Sequence, residues 1–289
     1  GAHVQDPARE RRARRRTLPS QPTGGTAMIR PTPMSTRGEE LTRMREDLRR
    51  ALKKPVEQHR WAMVINTKRC TACYACVVAC MAENGSPPGV AYRRVGEVES
   101  GEYPQVARTF MPVNCMQCEN PPCMKAAPAG AITKRPDGIV AVDYDKLKGK
   151  DVFERVSKAC PYGALSFDDG RFFTKNTPAL QAYEKAPIYE YGKPWVRTNG
   201  KPPVGTARKC HFCVQRLEAG MLPACVTTCD GGVSFFGDLN DAESLVSKLL
   251  RAHGSMTMQA ALKTEPRVHY LVDDTQAADS LKACLACHR

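Results

Sequence analysis

What this 289-residue chain lacks narrows its function before any motif is read. It has no apolar run approaching the roughly 18 residues needed to cross a bilayer, so any membrane contact is expected to come through a partner. Aromatic residues make up only 7% of it, and none interleave with the arginines of its first sixty residues, which argues against base stacking and nucleic-acid binding. RRARRR (residues 11–16) has the basic character of a leader, but TLPSQPTGGT follows where an apolar core should stand. No secretory signal is therefore expected, and Gly1 points to a processed or mature end. No nucleophile with a neighbouring base, no acid–base pair and no substrate pocket is legible.

Cysteine, by contrast, is abundant: 14 residues, beside 21 glycines and 22 prolines that predict short elements and many loops. CTACYACVVAC sets Cys70, Cys73, Cys76 and Cys80 in the register C-x2-C-x2-C-x3-C. Three thiolates so spaced wrap one iron–sulfur cubane, while the fourth leaves the loop on a helix and reaches a second cluster. A zinc knuckle is the alternative, but it usually wants two Cys pairs separated by a longer loop. KCHFCVQRLEAGMLPACVTTC supplies Cys210, Cys213, Cys225 and Cys229 with the same final x3 step, so each set can lend its last cysteine to the other. CMQCENPPC gives Cys115, Cys118 and Cys123 as C-x2-C-x4-C. The next ligand is due three residues on, immediately before a proline; Pro128 is present, but Ala127 precedes it. Two cysteines remain in the final KACLACHR, where Cys284, Cys287 and His288 form C-x2-C-H. That motif attaches haem c through two thioethers with the histidine on the iron; a disulfide or a free dithiol is the alternative. Candidates for the sixth haem ligand are His253, His269, Met256, Met258 or a residue of another subunit.

CTACYACVVACMAENGSPPGV, CMQCENPPC, ACPYGALSF and KCHFCVQRLEAGMLPACVTTC with the following FFGDLND resemble the iron–sulfur electron-transfer subunit of dimethyl-sulfoxide-reductase family complexes, particularly the polysulfide- and tetrathionate-reductase-like branch. The resemblance covers about residues 60–240. It implies an α+β, loop-rich, double ferredoxin-like fold with four Cys sets and four clusters, each cluster taking three cysteines from one set and the last from its mate. Carried onto this chain, it joins Cys70, Cys73 and Cys76 with Cys229, Cys210, Cys213 and Cys225 with Cys80, and Cys115, Cys118 and Cys123 with Cys160 of ACPYGAL. Lys150, Phe153 and Val156 stand where the third set's first three cysteines belong. With Ala127 they would all ligate one cluster, so their joint absence removes a single cofactor. Three [4Fe–4S] clusters are expected, with side chains such as Phe153 and Val156 filling the space of the fourth.

The formal charge of +13 is concentrated at the N-terminus: residues 1–60 hold 15 Lys and Arg against 7 Asp and Glu. Three clusters of about −2 each would bring the remainder near neutrality. Residues 1–58 are read as a basic extension, extended against a partner or disordered. Within it GEELTRMREDLRRALKK predicts a short helix with Leu41, Met44, Leu48 and Leu52 at helical spacing. Residues 59–100 plus 205–240 form a ferredoxin-like domain with two clusters, 101–170 one with a single cluster, 171–204 a connector loop, and 241–289 a C-terminal extension with the haem motif. In that extension Asn240 with Glu243 reads as a capping pair opening a helix that turns Leu245, Val246, Leu249 and Leu250 inward, and RVHYLVD (267–273) alternates like a strand.

The function expected is non-catalytic electron transfer through three [4Fe–4S] clusters and one haem c in a respiratory oxidoreductase complex. The resemblance implies a molybdopterin-type or multihaem cytochrome catalytic partner and a membrane quinone-interacting subunit. In relatives the deleted cluster looks nearest that membrane subunit, so a quinone exit would be rerouted, through the haem. Because haem c is attached outside the bacterial cytoplasm, a periplasmic location peripheral to the membrane is expected. The alternatives are a relay in a soluble complex exchanging electrons with c-type cytochromes, and a scaffold whose clusters are purely structural.

Overall fold

The computed structural model describes residues 36–170 and 204–272, and the backbone of 187–188 and 193–194. In chain order the elements are α1 (Arg37–Ala51), β1 (Trp61–Ile65), α2 (Ala75–Glu83), the hairpin β2 (Arg93–Ser100) and β3 (Ala107–Asn114), and α3 (Pro122–Ala126). The short hairpin β4 (Ile132–Lys134) and β5 (Val140–Val142), α4 (Lys150–Ala159) and β6 (Leu165–Asp168) follow. Within the connector, β7 (Pro187–Ile188) and β8 (Lys193–Pro194) make a two-residue antiparallel pair. The chain continues through β9 (Thr206–Lys209), α5 (Val214–Glu218), α6 (Ala224–Thr227), β10 (Ser234–Asp238), α7 (Leu245–Ala252), β11 (Ser255–Met256) and β12 (Val268–Leu271). The fold is thus mixed α and β, and its helices and strands are short apart from α1, α4 and the β2–β3 hairpin.

The largest sheet runs β10-β1-β12-β11. β1 pairs antiparallel with β10 and parallel with β12. Its sequence, WAMVI, is apolar throughout, as a strand covered on both faces requires, and all five residues are buried. Trp61 stacks on Phe236 at 5.5 Å between ring centroids, and Phe212 meets Phe236 edge-on at 5.2 Å. Gly237 permits the close seating of α7: a Cβ there would come within 2.9 Å of Val246. The strand expected at RVHYLVD is β12, but its neighbours on both sides leave Val268, Tyr270 and Leu271 all buried, so alternation was the wrong reason for a correct strand.

α1 lies within the expected N-terminal extension, yet it is packed on the body. Thr36 and Glu39 form a reciprocal capping box at its start. Met44, Leu48 and Ala51 are fully buried in the main core, Leu41 packs partly against it, and Leu52 remains 39% exposed. The buried Asp47 accepts a 2.7 Å hydrogen bond from the Leu245 amide at the N-terminus of α7, where a negative charge also meets the helix dipole favourably. That helix begins later than expected. Asp238 takes the Asn240 amide and Asp241 the Glu243 amide in side-chain turns, so Ser244, which accepts from the Ser247 amide, becomes the cap. Val246 is buried, and Leu245, Leu249 and Leu250 pack against the core as expected.

Leu48→Ala is predicted to destabilise the protein by about 2–5 kcal/mol, and Leu52→Ala by about 0.5 kcal/mol or less. Denaturant midpoints followed by far-UV circular dichroism measure the difference; equal costs would mean that α1 is not docked on the core.

Candidate metal centres

Three loops carry the cysteines, and each bends the same way. In the first C-x2-C step of each of these three loops, the residue immediately before the second cysteine has a left-handed backbone: Ala72 (φ 52°), Gln117 (φ 50°) and Phe212 (φ 54°). Such a conformation is strained for a residue with a Cβ and persists only where the surroundings impose it. It turns the loop so that neighbouring thiols converge instead of alternating. Where the third set would begin, residues 150–159 form the regular helix α4, and Val152, at the equivalent position, is helical.

Two cavities show how the thiols assort. One is lined by Cys70, Cys73, Cys76 and Cys229 with Arg69, Arg93 and Val233 among its walls. The other is lined by Cys80, Cys210, Cys213 and Cys225 with Met63, Asn84 and Arg93. The last cysteine of each set therefore stands in the other set's cavity. α2 makes the exchange possible: it starts beside the first loop and carries Cys80 one turn beyond Cys76. In the third group, Cys118 has Cys115, Cys160 and Cys123 as neighbours close enough to influence its ionisation. All twelve thiols are free, and all are buried or partly covered except Cys73. Among the described residues no group of three or more His, Cys, Asp or Glu side chains could hold a single metal ion; two of the three thiol groups line cavities instead.

The electrostatics fit an anionic group held by thiolates. Burial and then the neighbouring Cys115 push Cys118, Cys123 and Cys210 up to about 12, so the bare thiols would stay protonated. Iron reverses that preference by supplying positive charge to the sulfurs. Donors already point at the sulfurs: the Phe212 amide at Cys210 Sγ (3.4 Å), the Val233 amide at Cys229 Sγ (3.3 Å) and Asn84 Nδ2 at Cys80 Sγ (3.6 Å). Arg93 lies between the two cavities, only 2% exposed, and its Nε has no hydrogen-bond partner, as expected of a cation facing a missing anion. Burial opposes its charge, but Cys225 and Cys76 outweigh this and raise its pKa.

The positions expected to be vacated pack together in part. Ala127, Val152 and Phe153 pack against a second apolar cluster that contains the fully buried Val156 and Leu147 and the buried Ile132 and Leu165. The Phe153 ring also meets Phe167 at 5.3 Å. Lys150 is different: its side chain is 76% exposed. Cys284, Cys287 and His288 lie outside the described residues. Of the suggested sixth ligands, His253 ends α7, Met256 is in β11, Met258 is buried, and His269 is half-buried in β12, where burial and then Arg60 lower its pKa. The sequence reading missed Arg93, which no motif marks, and Gln117, whose buried amide donates to the Cys210 carbonyl (2.7 Å) and accepts from the Val140 amide (2.8 Å).

Known proteins share this arrangement of sequence. The 4Fe-4S dicluster domain family matches residues 106–182 and 189–239. The selenate reductase B subunit of Mesobacillus selenatarsenatis is 52% identical over 81% of this chain and 79% of its own length. The tetrathionate reductase B subunit of Salmonella typhimurium is 34% identical over 75% of this chain and 74% of its own. The arsenate respiratory reductase iron-sulfur subunit of Shewanella sp. is 32% identical over 73% of this chain and 96% of its own. With its thiol-lined cavities and these relatives, the chain belongs to the family of iron–sulfur electron-transfer subunits of reductase complexes.

Proposed function

We propose that this chain is an electron-transfer subunit holding three [4Fe–4S] clusters, in Cys70, Cys73, Cys76 and Cys229, in Cys80, Cys210, Cys213 and Cys225, and in Cys115, Cys118, Cys123 and Cys160. The observation that carries the reading is the exchange of Cys80 and Cys229 between the two cavities. Each cluster supplies a one-electron carrier when bound, and the protein's own task is to hold, space and insulate it. The chain's residues are suited to that task. The second quartet is buried at all four cysteines, whereas the first reaches the surface at Cys73 and the third approaches it at Cys160. Exposed Tyr74 (49%) and Val78 (65%) flank the first quartet and suit a docked redox partner.

The same reading treats the two cysteine-bearing halves as a pseudo-symmetric double ferredoxin from which one cluster has been lost. α4 in place of a strained cysteine loop, with Ala127 and Phe153 packed around buried Val156, supports that loss. Cys284, Cys287 and His288 are assigned to a covalently attached haem c, and on that assignment we propose a location on the periplasmic side of a membrane. The relatives' names share oxyanion substrates, selenate, arsenate and tetrathionate. A complex that reduces an oxyanion, with a molybdopterin-type catalytic subunit and a quinone-interacting membrane subunit, is the setting we assign. No helix among the described residues is long and apolar enough to cross a membrane, so the membrane contact in this scheme belongs to the partner.

Purified protein should contain about thirteen irons, from three four-iron clusters and one haem, and after denaturation should retain a haem mass increment. About twelve irons and no increment would remove the haem and with it the reason for a periplasmic location; about sixteen would contradict the lost cluster. Cys118→Ala should abolish or convert one cluster signal in electron paramagnetic resonance and leave the other two, because the other two quartets take no ligand from residues 101–170. Simultaneous loss of all three signals would contradict the assignment of ligands.

A further inference from the structure

Buried cations in this interior follow a rule with two exceptions among the described residues. Buried Arg208 donates to buried Asp168 at 2.8 Å, Arg216 meets Glu83 at 2.8 Å, and Arg267 is paired with Glu119. Arg93 and Lys209 are comparably buried, at 2% and 0% exposure, yet neither meets a carboxylate among the described residues. Arg93 donates to Asn114 Oδ1 (2.8 Å), Ser234 Oγ (2.6 Å) and Met63 Sδ (3.2 Å). Lys209 donates to the carbonyls of Val140 and Cys210. A cation removed from water without a counter-charge is strongly unfavourable, so the missing anion must be sought nearby.

Both exceptions stand at junctions. Arg93 lines the first cavity and the second alike, between Cys76 and Cys225. Lys209 precedes Cys210 of the second quartet and holds the Val140 carbonyl, while Gln117, from the third quartet's loop, holds the Val140 amide and the Cys210 carbonyl. Its charge acts on Cys210 and also on Cys123 and Cys160 of the third quartet. The second quartet thus has both cations near it.

We infer that Arg93 and Lys209 are the counter-cations of the cluster chain, each shared by two successive quartets, and that they set the potentials of the clusters they flank. The inference rests on the three-cluster assignment above. An added electron makes a cluster more negative, so a fixed positive charge beside it favours the reduced form, and a cation shared by two clusters also weakens the repulsion between electrons held on both. The second cluster, near both cations, feels each of them. Neither residue ligates iron; both are positioning residues, and their effect should appear in potentials while cluster content is unchanged.

Potentiometric titration followed by electron paramagnetic resonance, on the full chain with its clusters in place, tests this. Arg93→Gln keeps hydrogen-bonding capacity and removes the charge. It should lower the midpoint potentials of the first and second clusters and leave the third, identified by its loss in Cys118→Ala, in place. Lys209→Gln should lower the second and third and leave the first. Arg93→Lys should restore most of the first shift. Should the uncharged variant of Arg93 fail to assemble its clusters, Ser234→Asp puts a carboxylate against Arg93 from β10 and should give the same downward shift of the first and second clusters. Unchanged potentials, or equal shifts in all three clusters, with iron content intact, would overturn the inference. A wild-type protein that titrates with two or four cluster signals would instead overturn the three-cluster assignment, and with it the pairing of cations to junctions.

Discussion

Burying anionic sulfur in a protein interior is the constraint on which the rest of this structure depends. Twelve thiols are gathered in three groups, and burial alone would hold several of them protonated, with Cys118, Cys123 and Cys210 pushed up to about 12. Thiolates become stable there only with positive charge beside them. Iron supplies most of it in the assigned clusters. The chain supplies the rest through amides aimed at sulfur, as from Phe212 and Val233, and through two cations that meet no carboxylate among the described residues. The sheet serves the same end: β1, buried along its whole length, has helices packed on its sheet and also presents Met63 to the second cavity and to Arg93.

Local strain follows from the same constraint. Ala72, Gln117 and Phe212 adopt a left-handed backbone at the same step of three separate loops, although none is glycine. Nothing in those side chains favours that conformation; the convergence of the thiols does. Residues 150–159 show the converse. Without thiols to converge, the stretch is a helix that turns Val156 into the core and leaves Lys150 in solvent. On our reading, an apolar cluster occupies the room of a cofactor.

Much of the grouping of cysteines was legible in the sequence because the motifs carry regular spacing. The C-x2-C steps and the final x3 step marked the sets, and the resemblance implied the exchange of Cys80 and Cys229 that the linings of the two cavities show. Long-range electrostatics was not legible. Arg93 lies on a hairpin strand among several arginines, and only its depth and its orphaned Nε distinguish it. Lys209 directly precedes Cys210, which was a usable hint, but its burial depends on Gln117 and Val140 from distant segments. Helix ends were missed where side chains compete for amides: Asn240 and Glu243 looked like a cap until Asp238 and Asp241 claimed their N–H groups. The helix in α1 was read correctly, while its docking was not, because amphipathic spacing alone does not name the surface that covers it.

An iron anomalous-difference map from crystals grown without oxygen would test the central claim most directly. The account predicts three four-iron centres, one in each quartet, with Cys229 bound to the cluster of Cys70, Cys73 and Cys76 and Cys80 bound to that of Cys210, Cys213 and Cys225, and side-chain density alone between Ala127 and Val156. A fourth cluster in that space, or Cys80 and Cys229 each bound within its own set, would contradict it.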